Sequence, residues 1–299
     1  MSHFSCLAVG RDLERIMEPY CEQDEKYFKP VEDSEEYLKE VNTKKETFLN
    51  DEKFLDKCGG KDKATFEKYI KWYYGYNPCT TQDEEEQCIA DKQAYALLVD
   101  GNVVKMVYFT NPNARWDWYD DDEGGRFGSN IRTKNGEYVC HGTIGEIDID
   151  GMLEEKRKKL ADEYDSMFAV VGHVPVFTPW RDYADRIDKG QITRDEARTL
   201  FYNQPDVKLL EEWAKKMDYW SIEHENYMLT REEYIDQANL PLWCANINGE
   251  WLEKGKMGWW AISLDKKQET EWKGEIVTRL REEIENDPEQ EFWYIDCHI

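Results

Sequence analysis

Residues Phe4–Val9 (Phe-Ser-Cys-Leu-Ala-Val) form a nearly unbroken apolar run that stops at Gly10. A run this short, without the strict polar alternation of a half-exposed strand, reads as a strand buried on both faces. Such a strand must lie inside a sheet, so its neighbours have to come from elsewhere in the chain. The other end of the sequence offers them. Leu242–Ile247 and Gly258–Ser263 read as strands joined by a loop, with the Asn248-Gly249 turn at its start. A helix follows, with Trp272, Ile276, Leu280 and Ile284 along one stripe, and Pro288 prevents its continuation. Phe292–Ile295 is a last strand. The expected fold is α+β, with a mixed or antiparallel sheet core built from both chain ends and carrying helical insertions.

The middle of the chain supplies those insertions. Residues 33–75 read as helical, with Asp33 and Glu36 as a capping box and Phe66, Tyr69, Ile70 and Tyr73 as a stripe ending at Gly75. Asn77–Asp91 reads as an exposed connection. Tyr95–Val99 and Val103–Phe109 form a hairpin on Asp100-Gly101, and Asn135-Gly136 is another turn of that kind. Residues 151–165 read as helix and Phe168–Val171 as strand. Short helices then run from Gly172 to Leu240, two of them opened by Thr193/Glu196 and Thr230/Glu233 boxes. The resulting division is a core of 1–29, 91–171 and 241–299, a helical arm of 30–90, and a helical insertion lobe of 172–240. The lobe is expected to serve function while contributing little to core stability.

Charge decides which partners suit this chain. Of 299 residues, 64 are acidic and 39 basic, a net charge of −25. That field repels nucleic acid and anionic membranes over ~8–10 Å in physiological salt, and it favours a basic, nucleic-acid-handling protein. No apolar run approaches the roughly 20 residues that span a bilayer. Met1–Gly10 has no basic region ahead of an apolar stretch and does not read as a signal peptide. The eight cysteines are scattered without a CxxC spacing, which reads as reduced thiols in a cytosol.

Three groups of residues could carry chemistry. Asp117, Asp120, Asp121, Asp122 and Glu123 beside Gly124-Gly125 could hold a hard cation, but they lack the alternating ligand positions of a calcium loop. Glu146, Asp148 and Asp150 would share one face of a strand, the arrangement an alternative reading as a metal-dependent hydrolase or nucleotide-degrading enzyme would use. Cys140-His141 and Cys297-His298 could supply four zinc ligands, yet adjacent strand residues point to opposite faces. The bland readings are preferred: acids in water, packed cysteines, exposed histidines. No catalytic residue, cofactor or metal ligand is assigned.

The aromatic segments carry a resemblance. Phe4-Ser5-Cys6-Leu7-Ala8-Val9-Gly10 with Glu18-Pro19-Tyr20, then Asn111-Pro112-Asn113-Ala114-Arg115-Trp116-Asp117-Trp118-Tyr119 with Gly124-Gly125-Arg126, resemble a family of uncharacterised tailed-bacteriophage accessory proteins. Gly249-Glu250-Trp251, Gly255-Lys256-Met257-Gly258-Trp259-Trp260 and Asp296-Cys297-His298-Ile299 match its C-terminal signatures in the same order. Four residues, Asp120 to Glu123, separate Tyr119 from Gly124 where the family has two, and Phe127 stands where it has Trp. The resemblance implies a viral protein made in the host bacterial cytoplasm. Its size, charge and layout are similar to phage inhibitors of the Gabija defence system, a nuclease–helicase complex. That likeness implies immune evasion by binding and enclosing a host defence complex so that DNA is not engaged, and because large enclosing interfaces usually exploit symmetry a homo-oligomer is expected. The shared positions are expected to be structural, with Trp116, Trp118, Trp259 and Trp260 in the core.

Overall fold

The computed structural model describes residues 2–217, 225–257, 263 and 265–299. The fold is α+β, as the sequence implies, and the chain divides into two compact units. One comprises Met1–Leu13 and Asp120–Cys297, the other Glu14–Tyr119 and His298–Ile299.

In the first unit, His3–Gly10 is an interior strand, buried on both faces from Phe4 onward. Its sheet runs Glu250–Glu253, Cys244–Ile247, His3–Gly10, Glu291–His298. Cys6 to Val9 pair in parallel with Cys244 to Ile247, and the hairpin onto Glu250–Glu253 is antiparallel, so the sheet is mixed. That hairpin turns on Asn248 and Gly249, both at positive φ (55° and 88°), which is what a two-residue turn of matching twist requires. Pleating divides the strands cleanly. Leu7, Val9, Ala245, Ile247, Phe292 and Tyr294 meet Trp272, Ile276 and Leu280 of helix Glu269–Asn286. Cys6, Ala8, Cys244, Asn246, Ile295 and Cys297 alternate with them and are completely buried.

Helix Ile149–Val171 joins two cores. Its 23 residues give a length of about 35 Å at 1.5 Å per residue. Ile149, Met152 and Leu153 belong to the sheet's core, whereas Leu160, Tyr164, Met167 and Val171 belong to a second, helical one. There they pack with Phe201, Leu210 and Trp213 from the short helices Arg194–Tyr202 and Pro205–Lys216. Both Thr/Glu capping boxes are formed, at Thr193/Glu196 and Thr230/Glu233.

The second unit is a four-stranded sheet, Lys29–Glu32, Asn102–Thr110, Tyr95–Val99, Asn77–Cys79, carrying helices on residues 35–90. Its central hairpin turns at Asp100 (φ 51°) and Gly101 (φ 71°). Val41, Phe54, Phe66, Tyr69 and Ile70 cover Ala96, Leu98, Val103 and Met106.

Several local expectations are corrected. Residues 146–150 make no strand: Ile144–Glu146 is a 3-10 turn and Asp148 caps helix Ile149–Val171 by accepting from the Gly151 N–H. Phe168–Val171 is the last turn of that helix, because a four-residue apolar run looks alike in a strand and in a buried helical turn. Asn77–Asp91 is ordered as strand Asn77–Cys79 and helix Gln82–Ala90, the latter opened by a Thr81/Glu84 capping box. Ser34, rather than Asp33, caps helix Glu35–Lys44, and Asp33 instead accepts from the Tyr76 hydroxyl at 2.7 Å. The loop expected after Asn248-Gly249 is in part strand Glu250–Glu253, which pairs back on Cys244–Ile247, and the expected strand Gly258–Ser263 lies almost wholly outside the described residues.

Candidate functional site

In the first unit, the Gly-Gly-Arg segment is built around one buried carboxylate. Gly125 has φ +53°, and a Cβ there would lie 2.6 Å from the Asp296 Cβ and 3.2 Å from that of Asp120. Glycine is required on both counts. The close approach lets the Arg126 backbone N–H donate to Asp296 Oδ2 at 3.2 Å. On the other side His3 Nδ1 meets Asp296 Oδ1 at 2.9 Å. Asp296 is 2% exposed, so the carboxylate is a satisfied internal anchor with no room for a substrate.

In the second unit the aromatic segment holds the end of the chain. The Asp117 backbone N–H donates to the His298 carbonyl at 3.0 Å, and the Asp117 carboxylate meets His298 Nδ1 at 2.6 Å. The Trp118 indole stacks on the His298 ring at 4.8 Å. Trp116 is buried and packs edge-on against Tyr119. Two expectations fail here. His298 is buried, because Asp117 and Trp118 close over it, and Trp118 itself is 43% exposed, since only one face of its ring is covered by the imidazole. Met257 is buried, while Gly258, Trp259 and Trp260 lie outside the described residues.

The metal readings find no common face. Asp148 is bound to Arg132 and to the Gly151 N–H, Asp150 pairs with Arg281 at 2.6 Å, and Glu146 sits on the preceding turn. His141 is exposed, stacked on Trp293 and 3.5 Å from Glu291. Among the described residues, no three His, Cys, Asp or Glu side chains are grouped as metal ligands. Cys6, Cys244 and Cys297 lie together on the sheet's buried face, and burial pushes the thiols of Cys244 and Cys297 well above the ordinary range. They pack as small apolar side chains.

Sequence reasoning missed the feature most suited to recognition. The helix beginning at Phe66 widens into a π turn over Ile70–Tyr74 and stops at Gly75 (φ 80°). A π turn inserts an extra residue per turn, which rotates the following side chains off the expected stripe. Tyr73 is therefore 53% exposed rather than buried, with Trp72 beside it at 37%. Both rings are braced from below. Tyr73 stacks on Tyr69 at 5.2 Å, and Trp72 lies 5.5 Å from Phe54. The signal was present as Trp72-Tyr73-Tyr74-Gly75, four positions that a single apolar stripe cannot all occupy.

Compared with family models, with curated proteins and with solved structures, the chain has no match.

Proposed function

We propose that this chain is a phage immune-evasion protein that binds and blocks a bacterial defence complex, of which the Gabija nuclease–helicase complex is the reading the sequence resemblance favours. It acts in the host cytoplasm, as a homo-oligomer, by occupying the surface where DNA docks. The observation that carries the binding part is the Trp72–Tyr73 ledge. Tryptophan and tyrosine are the residues most often found as energetic anchors of protein interfaces. Rings already braced by Tyr69 and Phe54 lose little conformational freedom on docking. The net charge of −25 supplies the other half, since a surface evolved to hold DNA is basic. Long-range attraction of this sign speeds encounter and fades with salt. No membrane is involved in this reading; among the described residues no helix is long and apolar enough to cross one.

The test is co-purification of the chain with the Gabija complex, together with phage protection in cells that carry it. A Trp72→Ala/Tyr73→Ala double variant should keep its circular dichroism spectrum and lose capture and protection together. Wild-type chain that neither captures the complex nor protects phage would remove this partner. Capture left unchanged by the double variant would remove the ledge as the contact.

A further inference from the structure

A cleft of 420 Å³ opens in the first unit beside the long helix, away from the Trp72–Tyr73 ledge in sequence and in unit. Helix Ile149–Val171 contributes Met152, Glu155, Lys156, Lys159 and Leu160, the spacing of a single helical face. The opposite wall is polar and neutral: Asn130, Tyr138, Tyr234, Gln237 and Asn239. Lys254 and Glu269 form part of the lining, paired with one another.

The charge balance inside the cleft is opposite to that of the chain. Glu155 is neutralised, with Arg132 Nε at 3.3 Å and the Tyr138 hydroxyl donating to its other oxygen. Glu269 is likewise held by Lys254 and by Lys266 at 3.5 Å, and it also accepts from Asn239. Lys156 and Lys159 remain. Among the described residues no carboxylate lies within ion-pair distance of either, although the chain carries 64 acids against 39 bases. Two ammonium groups with no ion-pair partner among the described residues, one helical turn apart on the lining of the cleft, attract a compact anion. The volume lies in the range of small-molecule sites. Of the polar groups opposite, Asn239, Tyr234 and Tyr138 already donate to Glu269, Glu163 and Glu155, which leaves the Gln237 amide to meet an uncharged organic portion.

We infer that this cleft binds a small organic phosphate of mononucleotide or sugar-phosphate size, with Lys156 and Lys159 on the phosphate and Gln237 on the organic part. The site is independent of the proposed defence partner.

The experiment is isothermal titration of the full chain with AMP, CMP, glucose 6-phosphate and inorganic phosphate at low salt. At least one organic phosphate should bind ten-fold or more tightly than inorganic phosphate, and the affinity should fall with added salt. In a Lys156→Glu/Lys159→Glu variant, both changes being on exposed positions, that affinity should fall at least ten-fold with an unchanged melting curve. A Lys156→Gln/Lys159→Gln variant gives the same reading if charge reversal harms folding. The inference is overturned if the wild type binds none of the three organic phosphates, if inorganic phosphate binds equally well, or if a folded variant keeps full affinity. Failure here leaves the capture experiment untouched, since no partner protein takes part.

Discussion

Gly125 and Asp296 approach each other so closely that there is no space for a Cβ between them: one built on Gly125 would stand 2.6 Å from the Cβ of Asp296. The glycine is also at φ +53°, ψ −135°, a region that L-residues with side chains scarcely enter. Strain and overlap therefore add. Gly125→Ala should destabilise the protein by about 2–4 kcal/mol, combining backbone strain with overpacking. Gly128→Ala is the control, because Gly128 also has positive φ (65°) but nothing lies within 4 Å of its would-be Cβ. It should cost about 1–2 kcal/mol. Urea unfolding of both variants decides the matter, and equal losses would show that the Asp296 contact is not what requires glycine.

The indole N–H of Trp213 donates to the Ser166 hydroxyl at 2.9 Å and ties the lobe's longest helix to the long helix. A double-mutant cycle with Trp213→Phe and Ser166→Ala should give a coupling of about 0.5–1.5 kcal/mol. The same packing revises the expectation that residues 172–240 can be removed without harm. Excising them would strip the cover from Leu160, Tyr164, Met167 and Val171, which stay behind on the helix. Each buried side chain of this size is worth ~1.5–3 kcal/mol when covered. The shortened chain should self-associate on sedimentation. A monomeric product with a cooperative melt would show that the lobe is separable after all.

Lys254 and Glu269 give a pH signature. Burial lowers the pKa of Lys254, and the Glu269 carboxylate opposes that effect. For Glu269, burial acts to raise the pKa, but the Lys254 hydrogen bond and charge outweigh it and the net shift is downward. In the native protein the carboxylate's contribution is thus present above its unfolded value of ~4.3 and is lost as pH falls through the lower folded value. In Glu269→Gln the burial of Lys254 is unopposed, so its folded pKa drops further below the unfolded ~10.4. The variant should lose about 1–3 kcal/mol at pH 7. That deficit should shrink as pH rises towards 10.4, because the folded form gives up its proton first. Thermal melts across neutral to alkaline pH test this, and a deficit independent of pH would assign the loss to packing alone.

Much of the frame was legible because single residues dictated it. Asp100-Gly101 and Asn248-Gly249 fix their hairpins through positive φ, and Thr193 and Thr230 announce helices through the glutamates three positions on. The errors share a cause. Ile147 and Ile149 alternate with Glu146, Asp148 and Asp150 as in a strand, yet Asp148 is used as a helix cap, a role that the alternation conceals. Gln82–Ala90 was passed over because its acidic run resembles a loop, although Thr81 and Glu84 spelled out its cap. The exposed Trp72–Tyr73 ledge was harder still. Whether Tyr73 faces inward depends on one residue's worth of extra winding at Ile70–Tyr74, and composition holds no record of it. The cleft depends on Lys156 and Lys159 lining the same space as Gln237 and Asn239, which are distant in sequence and share no motif.

His3 and Asp296 touch across 293 positions of chain. At a synthesis rate of ~5–20 residues per second, the strand His3–Gly10 is made roughly 15–60 s before the strand that lies beside it. Neither edge of this apolar ribbon can pair until Cys244–Ile247 is made, and its second edge waits for Glu291–His298. The helical lobe, whose contacts are close in sequence, can assemble meanwhile, so the sheet closes after the lobe although one of its central strands is made before it. Transiently unpaired apolar strands of this kind are where aggregation competes with folding.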